Sequence, residues 1–509
     1  MPGPTDQAGL LDLLDDILLR ITAHLSLQER LRLPEVCRKW RGLLAGPSEA
    51  WRQVEAVVVL DEHESWPPGA AGSPNTPLQS FCRWLQPRLA GLEELRLALD
   101  ATRLLPMAQP PCLPADLLLL GTVGEAAAVA AATAGPLPLA KLSIQWHGSA
   151  MLGWGAGAMG LPLRNLRKLA FPGGTRLWVS GSSSIADDLP SLTDFGLIDG
   201  LLVGELDTPW LPPSVTMLAL AAVGLTRLPG VLAHLPRLQS LVLDHNYEIG
   251  SAPLNGLTQL TALQELNLSE CALTSFPHQI SALSSLRILY LHNTFADAAD
   301  LAPVDWEPLR ALRHLVFLSI SGNSLHHVPT VVLGLTQLRG LHLEDNLITR
   351  LPAGAPVLAG LRELLLDWRA ALGSPASLAG AAALTRLILN DHLALELGPG
   401  AHPGAVGALL RTLGALSALR RIDDVVPEGM VTSISTAVAH AMWQLGRACP
   451  HVELGTMAAT NAGWTLSSLV AGLPHNDGLA LLVPAGVEGG GGESGEAQSA
   501  VAAAAGPAG

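Results

Sequence analysis

Aromatic residues are scarce in this chain, at 4% of 509 positions, although 49% of the sequence is apolar. A core of that make-up has to be packed from Leu, Ala and Val. That suits a stack of similar small layers better than one large globular core, and the length exceeds that of one ordinary compact domain. Basic residues are also in deficit: 30 Lys and Arg face 44 Asp and Glu, a formal net charge of -14. The balance argues against a nucleic-acid grip built on a basic face and makes a basic protein partner easier to accommodate. Lysine is nearly missing, with only Lys39, Lys141 and Lys168.

The five cysteines, Cys37, Cys82, Cys112, Cys271 and Cys449, are dispersed, odd in number and without a CxxC pair. That pattern predicts a reducing compartment, cytoplasmic and/or nuclear. The acidic start, with Asp12, Asp15 and Asp16, predicts no secretory signal. The most apolar stretch, 117–134, is mostly Ala and Gly and contains Glu125, so no membrane span is expected. The spacings GxxxxGK[ST], GxSxG, HExxH and the calcium-loop pattern do not occur. His326-His327 and Asp61-Glu62-His63-Glu64 read as surface residues, and no cysteine has an adjacent base. No catalytic, cofactor-binding or metal-binding residue is expected.

Self-similarity is the strongest positive signal. Leu238, Leu263, Leu286, Leu315, Leu338, Leu361 and Leu384 each open the pattern L-x-x-L-x-(L/I), and four of the steps between them are 23 residues long. Within each segment, as with Leu341 and Leu343, apolar residues alternate with polar ones, predicting a short strand with an apolar inner side. Asn246, Asn323 and Asn346 follow the strand, where a side-chain amide can bond the unpaired backbone of neighbouring coils. Leu228-Pro229, Phe276-Pro277, Val328-Pro329 and Leu351-Pro352 recur in register and steer the return path, because Pro fixes its own backbone angle. Weaker versions open at Leu92, Leu139, Leu166 and Leu189, and the array is expected to start near residue 88. One coil cannot bury its leucines alone, so stacking supplies the core.

These motifs resemble leucine-rich repeats of the LxxLxLxxNxLxxLP kind. The resemblance implies an α/β fold, a curved solenoid with a parallel β-sheet on its concave face. Alternation then assigns outward positions to that face. They comprise Asp244, His245, Glu265, Glu270, Tyr290, His292, Phe317, His342, Glu344, Asp345, Glu363, Asp367, Trp368, Arg386 and Asp391. The set is acidic with interspersed rings and suits a basic, Arg-bearing segment of an unknown target protein. The segment 294–308 lengthens one coil by six residues and carries Trp306, making it a candidate contact loop.

The amino-terminal segment has a different period. Over 10–52 the apolar spacing is helical: Ile17, Leu18, Ile21 and Leu25 form one stripe behind Asp15 and Asp16. Ser26-Leu27-Gln28-Glu29 is a capping box that starts a second helix, and Val36, Trp40 and Leu43 or Leu44 share one face of a third. Three short helices bury too little surface alone, so a partner or the next domain should cover part of them. The run through Cys37-Arg38-Lys39-Trp40-Arg41 to Trp51 resembles an F-box, departing at Leu14, where Pro is usual, and at Pro34. The resemblance implies docking on the Skp adaptor and cullin-RING scaffold of an SCF-type ubiquitin ligase through Leu13, Asp15, Ile17, Leu18, Ile21, Leu25, Val36, Cys37 and Trp40.

The domain plan expected from the sequence begins with a three-helix module at 10–52 and a connector at 53–87. Irregular repeats at 88–214 and regular repeats at 215–424 follow. A carboxy-terminal helix over 431–447 with capping repeats occupies 425–485, and a disordered Gly/Ala-rich tail 486–509. The expected role is that of a non-catalytic substrate adaptor, with no nucleic acid or membrane as partner. The alternative is a non-degradative repeat scaffold, for example cytoskeletal or axonemal.

Overall fold

Each apolar repeat becomes one strand of a continuous parallel sheet. The computed structural model describes residues 51–59, 81, 84–100, 112–114, 138–147, 151–153, 165–179, 185–250, 252–295, 304–390, 403–427 and 452–459. The Skp-docking residues expected between Leu13 and Trp40, Asp391, the 117–134 stretch, the 431–447 helix and the tail lie outside them. Fifteen strands pair in the order Gln53–Val59, Glu94–Asp100, Lys141–His147 and onward to Glu453–Ala459, so the described repeats form a curved leucine-rich-repeat-like solenoid. Leu241, Leu266, Leu289, Leu318, Leu341, Leu364, Leu387 and Ile422 are mutually in register and all buried. One apolar column therefore runs the length of the regular array.

The asparagines close the coils. The Asn346 side-chain carbonyl accepts from the backbone amides of Asn323 and Leu325, at 3.0 and 2.9 Å. Its amide donates to the carbonyls of Ile320 and Leu343, at 3.0 and 2.8 Å. Asn246 makes the same set with Val223, Leu225, Leu220 and Leu243. Buried backbone groups at the turn are thus satisfied by a side chain from the next coil. Where the repeat lacks Asn, Cys271 and Thr294 keep only part of the set, each reaching back to a carbonyl, of Leu243 and Leu268 respectively. The residue just before this position is left-handed in coil after coil: His245, Glu270, Asn293, Gly322 and Asp345 have φ of 59°, 55°, 48°, 67° and 56°.

Return paths are short helices behind extended prolines. Pro229 precedes Gly230–His234, Pro277 precedes His278–Ala282, and Pro329 precedes Thr330–Leu333. Each pins one or two side chains in the core, such as Val231 and Leu232.

The structure departs from the sequence expectation in four places. The sheet starts before residue 88, because Gln53–Val59 is its first strand and pairs with Glu94–Asp100 over seven positions. Trp51 fills the opening Leu site there, 1% exposed and edge-on to Trp84 at 5.2 Å, with the Arg88 guanidinium over its ring at 5.0 Å. A second parallel sheet of four strands, Cys112–Pro114, Met151–Gly153, Arg176–Val179 and Leu201–Gly204, occupies the irregular coils. Gly204 ends it at φ +113°, where an added Cβ would lie 2.0 Å from the Val179 carbonyl oxygen.

Trp306 is not presented for contact: it is 9% exposed and packs on Phe276 and Phe295 at 5.3 and 5.5 Å. The longer coil needs that ring to fill the extra space. Trp368, expected on the sheet face, instead begins the helix Trp368–Leu372 and joins the apolar core, because the strand ends at Asp367.

Candidate functional site: the polar face of the sheet

Outward positions of the regular strands stack into columns about 4.8 Å apart from coil to coil, and the columns bring most of the expected residues together. In the first two columns, ring packs on ring and charge on charge. The Phe317 ring lies over Gly340, where an added Cβ would meet it at 2.5 Å, so only glycine leaves room. Tyr290 packs on one side of Phe317 at 5.1 Å and His342 on the other at 4.8 Å. His342 Nε2 meets Glu363 Oε1 at 2.9 Å, Glu363 approaches Arg386 at 3.5 Å, and Arg386 pairs with Asp423 at 2.8 Å. Asp423, fully buried and also bonded by Arg421 at 2.7 Å, escaped the sequence reading. It sits opposite Ile388 in a coil whose Leu-x-x-Ile opening at Leu419 continues the pattern.

This part of the face is less solvated than alternation suggests. Glu265, Tyr290, Phe317, His342, Glu344 and Asp367 are all buried. Glu265 accepts from the Ser240 hydroxyl at 2.9 Å, while its second oxygen has no donor among the described residues. Burial pushes its carboxyl up to about 7, Ser240 pulling weakly the other way. Neither carboxylate oxygen of Glu344 has a hydrogen-bond partner among the described residues; burial raises this group to about 7 against the opposing pull of His342. Asp367 is raised to about 6, again mainly by burial, although Asp345 and Asn346 amides bond it. Burial also works on Glu363, but His342 and Arg386 prevail and hold it below the ordinary carboxylate range. His292, hydrogen-bonded to the Ser321 hydroxyl at 2.9 Å, is lowered by burial. Asp345 accepts from Asn390 at 2.8 Å.

At the carboxy-terminal edge of the face Asp244, His245 and Glu270 are part-buried and Tyr247 is exposed. His245 Nδ1 meets Asp244 at 3.0 Å and its Nε2 lies 3.6 Å from Glu270. The Asp244 hydrogen bond raises the His245 pKa, with burial opposing it. Tyr247 stands beside this group, 57% exposed, edge-on to His245 at 6.1 Å, its hydroxyl donating to Glu270 at 2.9 Å. It escaped the sequence reading because it follows Asn246, outside the alternation that marks the strand. Its signal was rarity, since the chain has only two tyrosines.

Among the described residues no group of three or more His, Cys, Asp or Glu is arranged to hold a metal ion, and no helix is long and apolar enough to cross a membrane. Cys271 is fully buried and its thiol is pushed up to about 12, chiefly by burial, which suits a core residue and not a nucleophile.

Fold and face together define a leucine-rich-repeat-like solenoid with a polar outer face to its sheet. Comparison with known proteins agrees at that level: residues 236–294 match the family model described as leucine rich repeat, and residues 12–55 the one described as F-box-like. The volume-regulated anion channel subunit LRRC8E of Homo sapiens is 32% identical over 132 residues, covering 26% of this chain and 16% of that protein. Plant intracellular Ras-group-related LRR protein 8 of Oryza sativa subsp. japonica is 32% identical over 107 residues, 21% of this chain and 28% of that protein. The chain thus spans less than a third of either relative's length. A leucine-rich-repeat protein of Leptospira interrogans, at 18% identity and a TM-score of 0.42, covers 76% of this chain and 93% of its own.

Proposed function

We propose that this chain is a non-catalytic protein-interaction array whose sheet face, at the Asp244, His245, Tyr247 and Glu270 edge, receives an arginine-bearing segment of a partner protein. The observation that carries the reading is the exposed Tyr247 ring, pinned by Glu270 within reach of a second carboxylate, Asp244. A guanidinium can lie on such a ring while donating to carboxylates at its rim. Further along the face the Tyr290, Phe317 and His342 rings pack on one another, so little ordering of the sheet is left to the binding event. The test is titration of the full chain with a fluorescein-labelled arginine-rich peptide, comparing Tyr247→Ala and Glu270→Gln with the parent. Affinity should fall about tenfold in each; equal binding by all three proteins removes the reading.

A second reading is supported by the F-box-like match over 12–55. Here the amino-terminal segment docks on Skp through Leu13, Asp15, Ile17, Leu18, Ile21, Leu25, Val36, Cys37 and Trp40. The chain then serves a cullin-RING ubiquitin ligase in the cytoplasm or nucleus as substrate adaptor. Holding a target beside a charged enzyme raises the effective concentration of its lysines, and an adaptor with almost no lysine of its own is a poor competing acceptor. Co-purification with Skp decides it: an intact chain that fails to retain Skp when a control F-box protein succeeds is a scaffold only.

A further inference from the structure

A run of arginines with few carboxylates among them marks the edge of the regular coils where the chain enters each strand. In the stretches that run from the return helix into the strand, 230–239, 254–264, 277–287, 307–316, 329–339, 355–362, 375–385 and 405–420, the sole carboxylate is Glu307. Those same stretches carry Arg237, Arg287, Arg313, Arg339, Arg362 and Arg420, none of which has a carboxylate partner among the described residues. Glu307 is committed to Arg310 at 2.9 Å.

The arrangement is a ladder in space as well as in sequence. Backbone amides link Arg287 to Val316, Val316 to Arg339, Arg339 to Arg362, Arg362 to Thr385 and Thr385 to Arg420 in unbroken succession. Arg339 and Arg362 therefore stand one strand spacing apart, about 4.8 Å, and Arg287 and Arg420 each two spacings further along. Arg339 and Arg420 use part of their donors on local carbonyls, which fixes their direction. Beside the ladder, between the coils of 307–316 and 329–339, lies a groove of about 380 Å³. Its walls include Leu312, Leu315, Val331 and Leu335, with Arg310 and Arg313 alongside. Thr336 and Gln337 complete the lining, so the groove offers a small apolar patch among polar groups beside a guanidinium rim, and that has a definite complement.

We infer that this arginine edge is a second docking surface, for an acidic protein segment that places an apolar side chain in the groove between Leu312 and Leu335 and its carboxylates along Arg313, Arg339 and Arg362. Single-stranded nucleic acid is the less suitable polyanion. The stretches forming the edge contain no aromatic residue on which bases could stack, and the net charge of -14 repels a long polyanion. Carboxylates on an extended segment recur about every 7 Å on one side, within reach of flexible arginine tips at these spacings. The array would then hold partners of opposite charge on opposite edges of the same coils.

The experiment uses the full chain and a short fluorescein-labelled peptide of alternating Glu and Leu, read by anisotropy. Arg313→Glu combined with Arg339→Glu should weaken binding about tenfold. Arg313→Gln with Arg339→Gln should weaken it less, and Arg350→Glu, an exposed arginine off this edge, not at all. A peptide with Ser in place of Leu should bind more weakly to the parent, and an oligo-dT strand should not compete. Failure of the peptide to bind overturns the inference. So does binding indifferent to Arg313 and Arg339, Ser and Leu peptides of equal affinity, or an oligonucleotide that binds as tightly. Each variant is checked for an unchanged melting curve; should the reversal pair not fold, the Gln pair carries the same test.

Discussion

At the scale of single residues, the buried carboxylates and the asparagines pull stability in opposite directions. Asn346 satisfies four backbone groups from two coils, and no apolar residue could replace it without leaving them unpaired. Asn346→Ala should cost about 2–4 kcal/mol, read from chemical denaturation. Glu344 is the converse. Its folded pKa, pushed to about 7, lies above that of an unfolded Glu. The folded state therefore binds more protons than the unfolded one between about pH 4 and 7, so stability drains away as the pH rises through that window and stays low above it. Glu344→Gln, which cannot ionise, should stabilise the protein by about 3 kcal/mol at pH 8 and hardly at all at pH 4. A melting-temperature gain independent of pH would contradict this account. His245 acts on binding and not on the core. Its raised pKa extends its cationic form to higher pH beside Asp244, where the imidazolium competes with an incoming guanidinium. Affinity for the arginine-rich peptide should therefore be higher at pH 8.5 than at pH 6.5, and the difference should vanish in His245→Gln.

At the scale of elements, the outcome depended on whether a coil kept its leucines. Strands such as Gly340–His342 were legible because alternation and the opening Leu338 coincide, and the Asn ladder followed from its position after the strand. Gln53–Val59 was not, since Trp51, Val54 and Ala56 stand where the pattern demands Leu, yet each is buried as a Leu would be. Shape had been conserved across the coil while residue type had not. Burial on the polar face was also illegible, because alternation fixes which way a side chain points but not how tightly its neighbours in adjacent coils pack over it. Glu265 and Glu363 hold the same place in their repeats, and only the packing of neighbouring coils separates the buried one from the part-buried one. Trp306 shows the same limit: an insertion reads as a loop until its ring is seen to seal Phe276 and Phe295. Its removal leaves a cavity no neighbour can fill, so Trp306→Ala should cost about 3–5 kcal/mol. A surface contact residue would cost almost nothing, so equilibrium unfolding separates the two roles cleanly.

For the whole molecule, a linear array has the property that each coil is held chiefly by the two it touches. Trp51 lies at the start of the described sheet, where its coil pairs with only one other strand of that sheet, Glu94–Asp100. The loss of its ring should therefore be felt locally. In Trp51→Ala, amide hydrogen exchange should accelerate over Gln53–Val59 and Glu94–Asp100 while Leu318, Leu341 and Leu364 keep their protection. Asn346→Ala, acting mid-array with neighbours on both sides, should instead loosen the strands around Gly340–His342 and leave Gln53–Val59 as slow as before. The pair of maps tests the nearest-neighbour picture directly. If Trp51→Ala accelerates exchange at every strand alike, the coils unfold as one cooperative block.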